Sequence, residues 1–208
     1  MALGAAPAQA APDDSQFSVN GGLLSLTTAP NVPTLPALTL SGSAQTLNAT
    51  MSDWQVDDAT GSASGWNLTS QGEGVEEGKS AVFKEYCINA TAPCATAVNG
   101  AAGPGYVDQG KTLAANSLNL TSTSAGFTAV GTTTGTAPSH SCSSACALDG
   151  AGAVKIGSAA TDAGMGKFQA NGYSAESLAL SAPTTVKALG SVNKVYRVDL
   201  TWTLNSGP

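Results

Sequence analysis

The chain has 208 residues, of which 42% are hydrophobic and only 11% are charged, and its formal net charge at neutral pH is −6. A surface that binds nucleic acid needs clustered lysine and arginine side chains. Because Arg197 is the one arginine in the sequence, the composition argues against nucleic acid as a partner. Glycine, serine and threonine are abundant and strong helix formers are scarce, so the composition predicts an all-β protein.

Residues 1–16 form an Ala- and Pro-rich leader, in which Ala8, Gln9 and Ala10 have the small-x-small form of a signal-peptidase site. The basic and long apolar segments that should precede such a site are missing. The leader is therefore compatible with two interpretations, an export-signal remnant or a flexible Ala/Pro segment. We expect residues 17–208 to form a single domain.

The first third of the chain contains three strand patterns. Residues 17–26 alternate between apolar and small or polar side chains, which predicts a first strand. Three prolines at positions 30–36 then interrupt the pattern, and because proline has no amide hydrogen to donate, this stretch suits a sheet edge or a crossing between strands. The next pattern predicts a β-hairpin with one tryptophan on each arm, Trp54 and Trp66.

The middle of the chain gives weaker patterns. Residues 73–86 are compatible with one helical turn or with a strand, and residues 87–110 with an irregular loop. Short alternating runs at 118–120 and 178–180 indicate further strands. Together the patterns predict about seven to ten short antiparallel strands in a β-sandwich or Greek-key barrel, with long Gly-, Ala-, Ser- and Thr-rich loops and no transmembrane segment.

The cysteines form two close pairs in the sequence, Cys87 with Cys94 and Cys142 with Cys146. Disulfides persist in oxidising compartments, so this pattern favours an exported, extracellular protein. Two local disulfides are the favoured arrangement, although spacing alone leaves the connectivity open. Rings this short contribute little through loop closure, so we expect them to fix loops rather than to hold the fold together.

The last stretch, residues 195–208, has the clearest strand pattern. Its large apolar side chains fall on every second residue, with polar side chains between them. The apolar positions are Tyr196, Val198, Leu200, Trp202 and Leu204. Because alternate side chains share one face of a strand, this face needs a covering layer, and we expect a central strand here.

Two Trp-x-Leu triplets occur in the chain, Trp-Asn-Leu at 66–68 and Trp-Thr-Leu at 202–204. The first lies in a Gly-Trp-x-Leu-Thr context, and the second ends a Tyr-x-x-x-Leu-Thr-Trp-x-Leu pattern that begins at Tyr196. With these motifs the chain resembles the WxL surface-domain family of Gram-positive bacteria over nearly all of residues 17–208. The resemblance implies a secreted, non-catalytic domain that attaches to the peptidoglycan wall, often beside a membrane-anchored companion protein.

Two of the tryptophans are predicted to be core residues. Trp66 and Trp202 are each in phase with apolar neighbours, and large aromatic side chains dominate protein cores. We therefore expect the two indoles to pack beside each other in the core. Their expected neighbours are the other motif residues, Leu68, Tyr196, Leu200 and Leu204.

Trp54 is the candidate for a ligand platform. It stands between Asp53 and Gln55, whose polar groups suit the hydroxyls of a sugar, while an exposed indole offers a flat surface to a sugar ring. The alternative interpretation, burial of Trp54 in the core, is slightly favoured.

Other groupings of polar residues give no clear site. Asp53, Asp57 and Asp58 place oxygen donors near one turn, but their spacing fits no EF-hand loop and a solvated turn is favoured. The single histidine, His140, lies two residues before Cys142, and a disulfide is a simpler fate for that thiol than a zinc site. We expect no metal, no cofactor and no enzymatic activity, because neither a serine-nucleophile motif nor a distinguished pair of carboxylates is present.

Three functions follow as hypotheses. The leading one is an extracellular surface protein that attaches to peptidoglycan or another cell-wall glycan. The alternative is a self-assembling, pilus-like filament subunit, in which the leader or residues 17–26 add as a strand to the sheet edge of a neighbouring copy. The third is a glycan-active hydrolase, which needs two carboxylates that converge in one cleft.

Overall fold

The computed structural model describes residues 17–74 and 76–208. These residues form fifteen strands and no helix, so the predicted all-β fold is confirmed. The leader, residues 1–16, lies outside the described residues, and so do both interpretations of it. Within the two described ranges, no helix is long and apolar enough to cross a membrane.

The strands are short and alternate with turns and irregular segments. In chain order they are β1 (Leu24–Thr28), β2 (Gln45–Ala49), β3 (Trp54–Asp58), β4 (Trp66–Gly72), β5 (Lys84–Cys87), β6 (Gly105–Tyr106), β7 (Leu118–Leu120), β8 (Gly126–Ala129), β9 (Ser139–His140), β10 (Cys146–Ala147), β11 (Val154–Ala159), β12 (Gly166–Asn171), β13 (Leu178–Ala182), β14 (Lys194–Arg197) and β15 (Leu200–Ser206).

The strands form four antiparallel sheets. Sheet A has the order β1-β3-β12-β8, sheet B has β10-β7-β13-β2, sheet C has β15-β4-β11-β9, and sheet D has β14-β5-β6. In the described part of the chain, the outermost strands of each sheet pair on one side only. Of the two architectures that the sequence predicted, the structure is therefore the β-sandwich and not the closed barrel.

Several consecutive strands, separated by a few residues, belong to one stretch of chain that passes from one sheet to another. The order β2-β13-β7 in sheet B repeats the order β3-β12-β8 in sheet A, so the same three stretches of chain build both sheets. The stretch from β14 to β15 likewise pairs first with β5 in sheet D and then with β4 in sheet C. Fifteen strands form where about seven to ten were predicted, because four such stretches are divided into two strands each and because β6, β9 and β10, of two residues each, were not predicted.

Sheets A and C lie face to face and enclose the aromatic core. Trp54 of β3 packs edge-on against Trp66 of β4, with 6.4 Å between their ring centroids. Phe127 of β8 stacks on His140 of β9 at 4.5 Å, and β1 contacts β15. Three of the four strands of sheet A thus face the strand at the corresponding position of sheet C, as in an aligned sandwich.

The two Trp-x-Leu triplets lie on neighbouring strands, β4 and β15, in antiparallel register. Leu68 lies opposite Leu204, whereas Trp202 lies opposite Ser70, four residues and about 13 Å along the strand from Trp66. The triplets are therefore close in the fold. The expectation of a central strand is wrong, because in the described part of the chain β15 is an edge strand of sheet C. The expectation that Trp66 and Trp202 pack beside each other is wrong, because the register places their rings at different levels of the sandwich.

The first strand is shorter than the sequence predicted. β1 begins at Leu24, and the preceding residues 17–23 extend beyond the regular pairing with β3. Phe17, Val19 and Leu23 are 90%, 79% and 80% exposed. Among the described residues, no layer thus covers the alternating pattern of residues 17–23.

The fold resolves two points that the sequence left open, the structure of the segment before β5 and the connectivity of the disulfides. Residues 76–78 form a turn and residues 84–86 belong to β5, so the strand interpretation is right for the end of this segment. Both disulfides have the favoured local pairing, Cys87 with Cys94 and Cys142 with Cys146. The first closes a surface loop beside β5 and the second joins the loop after β9 to β10.

Candidate functional site

Trp54, the candidate ligand platform, lies in the core. Its side chain is fully buried, and its indole N–H donates a hydrogen bond of 2.8 Å to the Tyr173 hydroxyl. Asp53 and Gln55 lie on the other face of the strand, where Asp53 accepts a hydrogen bond of 3.0 Å from Gln169. The platform interpretation of Trp54 is therefore wrong, and the alternative, burial in the core, is right.

His140 belongs to the same aromatic core. Its Nδ1 lies 3.5 Å from the Tyr173 hydroxyl, and its ring stacks on Phe127. Burial lowers the pKa of His140, because it disfavours the charged imidazolium more than the contacts with backbone carbonyl groups favour it. Since Cys142 and Cys146 are joined in a disulfide, neither thiol is free to bind zinc beside His140.

A groove of about 900 Å³ lies beside the first residues of β15, and we call it the Trp202 groove. One wall is the proline segment, defined as residues 30–40, and the other is the stretch of residues 194–200. Trp202 is partly buried and lines the groove together with Tyr196. Further apolar side chains complete the lining: Leu47, Phe83, Leu113, Leu180, Val186 and Leu200.

The groove is open because the proline segment does not pair with β14 or β15. Its three prolines lack the amide hydrogen that a sheet ladder requires, and residues 30–40 form no strand. The segment is held near its two ends instead. The backbone N–H of Asn31 donates to the Ser52 hydroxyl at 2.8 Å, and the Gln45 side chain donates to the Thr39 carbonyl at 3.0 Å.

A network of charged and aromatic residues forms part of the rim. The Asp199 carboxylate accepts hydrogen bonds from the Arg197 guanidinium at 3.0 Å, the Tyr106 hydroxyl at 2.6 Å and the Ser80 backbone N–H at 3.0 Å. Arg197 also lies over the ring of Tyr86, 4.6 Å from its centroid. Burial and the Asp199 carboxylate raise the pKa of Tyr106, so its hydroxyl stays protonated and donates.

Two lysine ion pairs lie beside this network. Lys79 is 3.6 Å from Glu73, and both side chains line the groove. Lys194 is 2.7 Å from Glu85 in a more buried position. Burial alone would raise the pKa of Glu85, but the ion pair with Lys194 and the Lys111 backbone N–H outweigh it, so the pKa is lowered.

The acidic residues of the hairpin turn make local contacts. The Asp58 carboxylate accepts hydrogen bonds from the backbone N–H and the hydroxyl of Thr60, at 3.1 Å and 2.7 Å. Asp57 pairs with Lys167 at 3.5 Å. Among the residues that the structure describes, no group of three His, Cys, Asp or Glu side chains is placed to hold a metal ion.

The predicted motif residues are divided between two places. Trp66 and Leu68 are fully buried, whereas Tyr196, Leu200 and Trp202 are partly buried and line the groove. The groove was not predicted from the sequence, in which its signal is the run of three prolines at positions 30–36. No family model, curated protein or solved structure matches this chain. The resemblance to the WxL family therefore stays a prediction.

Proposed function

We propose that this protein is an extracellular, non-catalytic surface protein that attaches to the peptidoglycan wall of a Gram-positive-type bacterium. The observation that carries the proposal is the position of Trp202, whose ring lines an open groove of about 900 Å³. The apolar faces of sugar rings pack on indole and phenol rings, here Trp202 and Tyr196. The Arg197 side chain, which is about half exposed, is available to sugar hydroxyls at the rim.

The disulfides support the extracellular part of the proposal. Cys87–Cys94 and Cys142–Cys146 account for all four cysteines of the chain. Stable disulfides are typical of secreted proteins and rare in reducing compartments. A wall-attached protein meets this condition because it works outside the membrane.

The contacts of the groove carboxylates support binding rather than hydrolysis. Glycoside hydrolysis needs one carboxylic acid that donates a proton and a second carboxylate that acts as base or nucleophile. Glu73 is bound by Lys79 and by the Thr201 hydroxyl at 3.0 Å, and Asp199 is bound by Arg197. Both carboxylates are thus engaged by side chains of the protein itself, and they are the only acidic residues among the described residues that line the groove.

A turnover assay separates binding from hydrolysis. Purified protein is incubated with isolated sacculi, and the release of new reducing ends is followed against a buffer blank. We expect no release above the blank. Release that E73Q or D199N abolishes would identify the protein as a hydrolase instead.

Attachment is tested by co-sedimentation of the purified protein with protein-free peptidoglycan sacculi. We expect the wild-type protein to sediment and W202A to stay largely in the supernatant, because the indole surface of the groove is lost. W202F keeps an aromatic ring and should retain part of the binding. V192A, at a 90% exposed position outside the groove, is the control and should bind as the wild type does.

The same assay addresses the membrane-anchored companion that the family resemblance implies. Sacculi stripped of protein contain no companion, so binding to them shows that the chain attaches directly. Binding to intact cell envelopes but not to stripped sacculi would point to a companion protein as the partner.

A second candidate function is a filament subunit, and the exposed residues 17–23 favour it. Their apolar side chains, Phe17, Val19 and Leu23, precede an edge strand that pairs only with β3 in the described chain. Such a segment is suited to add as a strand to a neighbouring copy, for example along the free edge of β14. A contact between two different surfaces of the same protein generates fibres when it does not close into a ring.

Deletion of residues 17–23 tests this second function. A filament subunit should lose its large species in sedimentation velocity and its fibres in electron micrographs, and F17S/V19S should reproduce the loss. V192S removes an equally exposed apolar side chain elsewhere and serves as the control. Wild-type protein that stays monomeric at all accessible concentrations would contradict the assembly.

A further inference from the structure

Positive charge is concentrated at the Trp202 groove. Among the residues that the structure describes, four of the eight basic side chains line it, but only two of the twelve acidic ones do. The basic residues are Lys79, Lys187, Lys194 and Arg197, and the acidic ones are Glu73 and Asp199. The lining therefore carries an excess of positive charge in a protein whose net charge is −6. A cleft of this kind raises the local concentration of anions.

Three of these cations are accessible to a ligand. The Arg197 and Lys79 side chains are 48% and 40% exposed in spite of their ion pairs with Asp199 and Glu73. Lys187 is exposed, and among the described residues no carboxylate lies within ion-pair distance of it. Lys194 contributes less, because its side chain is largely buried against Glu85.

We propose that the ligand of the Trp202 groove is an anionic sugar polymer, whose units carry phosphate or carboxylate groups. The inference rests on the proposed wall attachment and names the class of wall polymer that is bound. Trp202 and Tyr196 pack on a sugar ring, while Arg197, Lys79 and Lys187 pair with the anionic groups. A neutral glycan offers no charge that would match these cations, and neither does the segment of residues 17–23 of a second copy.

The experiment uses three preparations of the same sacculi, because the anionic group has two possible sources. The first is untreated, the second is stripped of phosphodiester-linked polymers with hydrofluoric acid, and the third has its carboxyl groups amidated. We expect the wild-type protein to lose most of its binding on the one preparation from which the recognised anion was removed. Binding to the untreated sacculi should also weaken as salt is raised from 50 to about 300 mM, because ion pairs are screened.

Matched variants connect the charge to the groove. K187Q removes a cation without breaking an ion pair. K79Q removes a cation and also breaks the ion pair with Glu73. Each should weaken binding about two- to five-fold, as expected for exposed ion pairs, and K79Q/K187Q should combine the losses. K155Q removes the same charge from β11, outside the groove, and is the control. R197Q disturbs the buried Asp199, so the conclusion rests on the two lysines.

The outcomes separate this inference from the proposed function. Equal binding to all three preparations, with no effect of salt or of K79Q/K187Q, would show attachment to a neutral glycan; the wall proposal would stand and this inference would fall. Binding to no sacculi, together with no binding of soluble polygalacturonate or polyglycerol phosphate over a dextran control, would overturn both. Displacement by a peptide of residues 17–23 without any effect of the lysine variants would identify a strand as the ligand and also overturn the inference.

Discussion

The apolar side chains of β4 and β15 lie on one face of sheet C, but they are covered to different extents on the two strands. On β4 every second residue is fully enclosed between sheets A and C, and Trp66 packs against Trp54. On β15 the corresponding residues Leu200 and Trp202 are only partly buried, because β1 ends at Thr28 and the proline segment that follows leaves a groove. The same alternating pattern thus builds a core on one strand and a binding surface on its neighbour.

The largest expected effect on stability comes from removing one indole from the core and, in a second variant, one from the Trp202 groove. W54A removes a fully buried ring and the hydrogen bond to Tyr173, and should lower the free energy of unfolding by about 3–5 kcal/mol. W202A removes a ring that is already partly in water, so its loss should be roughly half as large. Urea unfolding at neutral pH measures both.

W54F is the matched control for the core position, because it retains most of the ring and loses only part of the stability. Equal losses for W54A and W202A would contradict the comparison, since they would mean that Trp202 is as enclosed as Trp54.

A smaller test compares two carboxylates. Asp149 is buried and accepts hydrogen bonds from the backbone N–H groups of Ser117 and Leu118, at 3.2 Å and 2.9 Å. D149A should cost about 1–3 kcal/mol for each N–H left without an acceptor. E73A at the groove rim removes a more exposed ion pair with Lys79 and should cost at most about 1 kcal/mol.

Thermal or urea unfolding of both variants, with D149N as a milder change at the buried site, measures the difference. A loss for E73A that matches the loss for D149A would show that the rim is part of the sealed core.

The sequence predicted which side chains share a face, but not whether the face is covered. The all-β class and the favoured local pairing of the cysteines followed from composition, alternation and spacing. The roles of Trp54 and Trp202 did not, because burial depends on which distant segment lies over a strand. Alternation assigns Trp202 to the apolar face, and only the path of the proline segment decides that this part of the face stays open.

His140 was also beyond sequence reasoning. Its own neighbours in the chain are serines, and the apolar environment comes from Phe127 and Tyr173, which lie on other parts of the chain. A sequence window contains no information on such contacts. The resemblance to a surface-domain family pointed to β4 and β15, and it contained no signal for this histidine.

The smallest expected effect is a pH dependence of stability that arises from His140 in the aromatic core. Burial lowers the pKa of His140 in the folded protein, while the unfolded chain keeps a value near 6.5. The unfolded state therefore binds a proton more readily, so stability should be constant above about pH 7.5 and fall as pH drops through about 6.5 toward the lowered pKa. The slope for one proton is at most about 1.4 kcal/mol per pH unit.

Urea unfolding between pH 7.5 and 5.5 measures this slope, in a range where Tyr173, with a pKa raised to about 12 by burial, stays neutral. H140Q removes the titrating group and should flatten the profile, whereas W202F, a change in the groove, should leave the slope as it is. An unchanged slope in H140Q would assign the pH dependence to other groups. A slope that disappears in W202F would place the titrating group at the groove. The aromatic core and the Trp202 groove would then not be independent.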